Sequence, residues 1–127
     1  MLIDEPEGFA FLNKFPSIFG HVLVVPRRHV EDVVESVGSA ENAAVQAMIG
    51  RIGGALQATV PCERVYVASL GSRLSNAHVH WHVAPCPPGL PYAEQQWSLF
   101  GNGYLDVPEE RIRELADEIR AALVLMS

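Results

Sequence analysis

The chain lacks most of what would mark a secreted, membrane-spanning or polynucleotide-binding protein. It has only two cysteines, Cys62 and Cys86, too few for a disulfide framework, and they read as free thiols in a reducing cytoplasm. No apolar run approaches the roughly 20 residues that a membrane-spanning helix needs. The opening Met1-Leu-Ile-Asp-Glu5 has no basic stretch, which speaks against a secretory signal. Basic residues are also scarce. Nine Lys and Arg stand against fifteen Asp and Glu, for a formal net charge of −6. A polynucleotide binder needs a basic face to neutralise phosphates, so long nucleic acids are excluded as partners. A small phosphorylated ligand stays open, because backbone N–H groups and a few neutral donors can hold one or two phosphates.

What the chain does have is apolar material: 49 % of its 127 residues are hydrophobic, enough for one domain spanning 1–127 with its own core. Internal repeats, low-complexity tracts and linkers are missing. Stretches 9–13 and 21–26 are β-branched or aromatic and bounded by turn residues, so they read as strands. The short connection 14–20 makes them antiparallel neighbours. A brief helical stretch is expected near 30–34. Ser39 is placed to cap a helix over about 40–59, where Val45, Met48, Ile49, Ile52 and Leu56 keep helical spacing. Gly50, Gly53 and Gly54 oppose that helix at about 1 kcal/mol each, which close packing on a sheet would explain. Strands follow at 64–69 and about 78–84, separated by a loop at 70–77. Residues 86–92, rich in proline, read as an extended loop. The last helix is expected over about 107–126, with Asp106 and Glu109 forming a capping box. Hairpin strands with inserted helices predict an α+β fold around an antiparallel sheet of about five strands.

Three of the five histidines are His78, His80 and His82. On a strand this spacing places all three imidazoles on one face, with Val79 and Trp81 turned to the core. Three readings compete. The row can be a polar strand face whose histidines are merely hydrogen-bonded. It can be a metal site completed by His21 or a carboxylate, but one ion cannot take all three. His78 and His82 are about 13 Å apart along an extended strand, against zinc–nitrogen bonds of about 2.1 Å. Or it can be a catalytic relay. Neutral imidazole, with an ordinary pKa near 6.5, is available at pH 7 to attack phosphorus, and its neighbours can supply hydrogen bonds and protons.

At these residues the sequence resembles the histidine-triad (HIT) superfamily. His78-Val-His-Trp-His-Val-Ala84 matches its pattern of three histidines alternating with apolar residues. Upstream, Asn13 before a loop and then Gly20-His-Val-Leu-Val-Val-Pro26 match the family's first half. The likeness covers about residues 9–85. It implies an α+β fold and a nucleotide hydrolase or transferase in which His80 forms a covalent nucleotidyl-histidine intermediate. It assigns His82 to the phosphate, and His78 with His21 to buttressing the nucleophile. It assigns Ser75 to the phosphate or leaving group, Asn13 to the ribose hydroxyls, and Ser69 to the place of a family Asn or Gln. No resident cofactor or metal is implied, although a divalent cation can accompany a polyphosphate substrate. The partner implied is a small nucleotide, and a homodimer is expected. Plainer readings stand beside these. Asn13 can be a turn residue, Ser75 an ordinary loop hydroxyl and His21 a satisfied core histidine. His29, in a basic cluster, reads as solvated. In one departure, Cys86 follows Pro85 where many relatives carry Arg.

Overall fold

The computed structural model describes every residue except 102 and 104. Five antiparallel strands make one sheet: β1 (Ile3–Glu5), β2 (Gly8–Leu12), β3 (Val22–Pro26), β4 (Arg64–Ser69) and β5 (Trp81–Cys86). Their spatial order is β1-β2-β3-β5-β4. The chain leaves β3 for a short helix, α1 (Val33–Val37), and a long one, α2 (Asn42–Thr59), before returning to the sheet. After β5 come a single 3₁₀ turn at Tyr92–Glu94, then α3 (Trp97–Gly101) and α4 (Glu109–Leu125). This is the α+β architecture with about five strands that the sequence predicts.

Alternation along the strands gives the sheet two different faces. Val22, Val24 and Val83 turn to one side and pack in a fully buried layer against Met48, Ile52 and Leu56 of α2 and Leu115 and Ile119 of α4. Burying each such side chain contributes about 1.5–3 kcal/mol. Gly54 matters here: a Cβ on it would stand 2.7 Å from the terminal methyl of Met126, so the residue admits the end of α4. Gly53 lies in ordinary contact range of Val65, whereas Gly50 faces open space. Close packing thus accounts for two of the three glycines at most. On the opposite face, Leu23, His82 and Ala68 stand side by side across β3, β5 and β4.

The boundaries differ from expectation in five places, each with a local cause. β1 joins the sheet by pairing with β2, Ile3 opposite Ala10, through a stretch too short to show alternation. The histidine strand begins at Trp81, so His78 and His80 lie in a lead-in outside the ladder. Pro26 has no N–H to extend pairing, and the lead-in turns to Val30 instead, Val79 N–H donating to its carbonyl at 2.7 Å. The first helix starts three residues later than expected because Asp32 caps it, accepting from Val34 N–H at 2.8 Å. Ser39 does not cap α2, since its hydroxyl donates to the Ser36 carbonyl at 2.7 Å and the helix begins at Asn42. No capping box forms at Asp106 either, because Pro108 takes the cap position and α4 starts at Glu109. Among the described residues, no helix is long and apolar enough to cross a membrane.

Candidate functional site

Asn13 directly follows β2 and His21 directly precedes β3; the Asn13 N–H donates to the His21 carbonyl at 2.9 Å, pinning the ends of the intervening loop together. The Asn13 side chain is oriented by a donor of fixed identity. Phe15 N–H donates to its Oδ1 at 3.0 Å, which leaves Nδ2 to donate across 3.4 Å to Nδ1 of His21. With Nδ1 accepting, neutral His21 carries its proton on Nε2, which lies 2.8 Å from Nδ1 of His82. His82 then accepts at Nδ1 and holds its own proton on Nε2. One amide thereby sets the tautomer of two imidazoles in series.

Burial keeps both rings neutral. His21 is 3 % exposed, and its pKa falls to about 4, chiefly through burial and then through the nearby charges of His82 and His80. His82 is likewise lowered to about 4, by burial first and His80 second. The ring of Phe100, from α3, meets both edge-to-face, with centroids 6.2 Å from His21 and 5.6 Å from His82.

His80 is oriented by backbone. Its Nδ1–H donates to the carbonyl of His78 at 2.9 Å, so Nε2 bears the free lone pair. The His80 carbonyl in turn accepts from the Ser69 hydroxyl at 2.8 Å, which ties the lead-in to the end of β4. The loop after β4 presses on the same ring. Gly71, at φ +108°, comes so near that a Cβ would lie 3.2 Å from His80 Cε1 and 2.6 Å from the Asn76 carbonyl.

His78 is held in place by two bonds. Its Nδ1 accepts from Val30 N–H at 3.2 Å, and its Nε2–H donates to the Pro26 carbonyl at 2.8 Å. The carbonyl of His78, rather than its ring, meets His80, and the ring of His21 meets His82 rather than His80. His29, read as solvated, is indeed exposed and hydrogen-bonded to Glu31 at 2.9 Å, yet it also stacks on His78 with centroids 5.0 Å apart. Ser75 is exposed on the loop, its backbone paired with Ser72.

The structure therefore brings together Asn13, His21, Ser69, His78, His80 and His82. Phe100 went unnoticed in the sequence, where a lone aromatic 18 residues beyond the last histidine carries no signal. The carbonyls of Pro26 and His78 were equally invisible, because sequence patterns report side chains. Among the described residues, no group of three or more His, Cys, Asp or Glu side chains is arranged to hold a metal ion. The arrangement offers one free imidazole lone pair beside one imidazole N–H donor, the parts needed for nucleophilic attack with charge stabilisation.

Comparison with known proteins points the same way. A family model described as HIT domain matches residues 1–87. An uncharacterized HIT-like protein of Mycoplasma genitalium is 32 % identical over 85 residues, which is 65 % of this chain. The match spans 60 % of that relative's length. A hypothetical histidine triad nucleotide-binding protein from Sulfolobus tokodaii superposes with a TM-score of 0.78 at 19 % identity, over 98 % of this chain and 83 % of that one. A Hit-like protein involved in cell-cycle regulation from Bartonella henselae gives 0.74 at 21 % identity, over 95 % and 84 %. At such identities the two structures speak for the fold, while the domain match covers the whole histidine cluster: the chain belongs to the HIT domain family.

Proposed function

We propose that the protein is a nucleotidyl hydrolase or transferase that cleaves the α-phosphate linkage of a nucleotide 5′-phosphoramidate, anhydride or dinucleoside polyphosphate. The observation that carries this reading is the bond from His80 Nδ1–H to the His78 carbonyl, which in the neutral ring places the lone pair on Nε2. Nε2 attacks the α-phosphorus, and the bond to the leaving group breaks with its electron pair. The leaving group departs with a proton from a neighbouring group. Water then attacks the nucleotidyl-histidine, the N–P bond breaks back onto Nε2, and the mononucleotide leaves. His82 Nε2–H donates to a phosphoryl oxygen, and Ser75 serves the phosphate or leaving group. Asn13 has a second amide hydrogen for the ribose hydroxyls, and Ser69 acts from beside the substrate through the His80 backbone. The covalent steps use side chains alone, and a divalent cation enters only with a polyphosphate substrate.

Net charge −6 supports a small nucleotide over a polynucleotide, and two free cysteines support a cytoplasmic setting. A homodimer belongs to the same reading. β4 is an edge strand with Val67 46 % exposed, and the outer side of α2 is lined by exposed Ala43, Ala47 and Gly50. Light scattering at working concentration should report twice the chain mass; monomer alone would refute the dimer.

The test of the chemistry is trapping. Substrate labelled at the α-phosphorus, quenched within one turnover and digested, should leave the nucleotidyl group on the peptide holding His80. The alternative is a phosphorylase, in which phosphate rather than water attacks the intermediate; adding phosphate separates the two, since a phosphorylase would release nucleoside diphosphate. No adduct in wild type, together with activity surviving in His80→Ala, would overturn the proposal.

A further inference from the structure

The segment 88–101, outside the stretch matched by the family model, lies against the histidine face of the sheet as a strap. It is fastened at three points. Leu99 is buried against Ala84 and Cys86, with Ile18, Tyr66, Leu90 and Phe100 around them. Gln95 donates to the Leu90 carbonyl at 2.6 Å and accepts from the Tyr66 hydroxyl at 3.5 Å. Past α3, Leu105 N–H donates to the Pro16 carbonyl at 2.7 Å, in the loop between Asn13 and His21. Phe100 is the strap residue set against the histidine pair, its ring meeting His21 at 68° and His82 at 65°.

We infer that Phe100 is a positioning residue for the His21–His82 pair, closing the side that the sheet leaves open and holding both imidazoles dry in one tilt. The inference deepens the nucleotidyl-transfer reading and rests on it for the role of His82 toward phosphate. The physical reason is solvation. An imidazolium is costly in a dry site and cheap beside water, and protonation of His82 Nδ1 would break the bond from His21 Nε2 and the tautomer chain with it. The titratable groups acting on the pair are its own two members and His80. Asn13 brings a neutral amide, and among the described residues the strap brings the hydrocarbon of Phe100. Water exclusion therefore falls to that ring.

The test reads the rings directly, in free protein without nucleotide. Histidine ring resonances of wild type, Phe100→Ala and Phe100→Leu are followed by NMR against pH. In Phe100→Ala the midpoints of His21 and His82 should rise by about one unit or more, from about 4 toward the ordinary 6.5. Phe100→Leu, which keeps the gap apolar, should stay near wild type. Trp97→Ala, removing a side chain 71 % exposed on the same helix, should leave both midpoints in place. If Phe100→Ala fails to fold, Phe100→Val serves the same comparison. Unmoved midpoints in the folded truncation, or an equal rise in Trp97→Ala, would overturn the role of Phe100. Because no turnover is needed, the two readings fail separately. A shift without any nucleotidyl adduct keeps Phe100 and overturns the enzyme, and an adduct without a shift does the reverse.

Discussion

The Nδ1–H of His80 lies 2.9 Å from the carbonyl oxygen of His78, two residues upstream, so the ring proposed as the nucleophile is oriented by the peptide chain that carries it. His80→Ala should accordingly bring turnover to background while nucleoside monophosphate still binds. His82→Ala removes one donor to developing charge and should cost less, on the order of 3–4 kcal/mol at most. Steady-state rates with a binding isotherm for each variant check both, and comparable loss in the two would mean that His80 has no special role.

Asn13 donates to His21 and is proposed to hold the ribose. As a ribose contact, its replacement by Ala should weaken ribonucleotides by about 1–3 kcal/mol and 2′,3′-dideoxy analogues hardly at all. As the donor to His21, its replacement by Asp should act differently. A carboxylate only accepts, so it stabilises a proton on His21 Nδ1 and raises the pKa of that ring from about 4. Binding to both sugars and NMR titration of His21 measure the two effects independently. Equal weakening for both sugars removes the ribose role, and an unmoved His21 removes the tautomer role.

Stability should depend on pH between about 4 and 6.5. The folded chain protonates His21 near 4 and the unfolded chain near the ordinary 6.5. In that window the unfolded state holds more protons, so stability rises with pH. The contribution is whole above about 6.5 and is lost progressively as pH falls to about 4. For His21 it amounts to roughly 3 kcal/mol. His82 acts in the same direction but not additively, because the two share one hydrogen bond. Urea unfolding at several pH values should show this slope, and His21→Asn should flatten it; identical slopes in the two proteins would contradict the assignment.

Gly71→Ala should damage the site more than an exposed loop position ordinarily allows. The φ of +108° disfavours any Cβ, and the added carbon would meet both the Asn76 carbonyl and His80 Cε1. We expect about 1–3 kcal/mol of strain, relieved by moving the loop away from His80. The kcat should fall at least about tenfold, the equivalent of 1.4 kcal/mol in the barrier. Wild-type kcat in Gly71→Ala would show that the loop plays no part in holding the ring.

The elements with strong periodicity were readable in the chain. Val45 to Leu56 on α2 line the core as their spacing predicts, and hairpin order followed from the short connection before His21. Ends were harder to read. Ser39 and Asp106 look like caps, but caps depend on where the backbone turns, and Asp32 and Pro108 sit at the actual turns. The same limit applies at the site. Alternating histidines announced shared chemistry, yet only His82 stands within the paired strand, because Pro26 ends the ladder before His80. Several partners of the rings are backbone groups of Pro26, Val30 and His78, and one is the distant Phe100, none of which a local pattern encodes.

The sheet order has a consequence for how the site breathes. β3 and β5 are flanked on both sides by other strands, so amides such as Val22 and Val24 should exchange with solvent only when the whole molecule opens. The loop at 70–77 is exposed through most of its length and holds a single bridge between Ser72 and Ser75, so its amides should exchange through small, frequent openings. The site at His80 therefore has one slow side, carrying His21 and His82, and one fast side, carrying Gly71. In the proposed reaction, motion of the fast side alone would let a nucleotide in and its product out without disturbing the imidazole pair on the slow one.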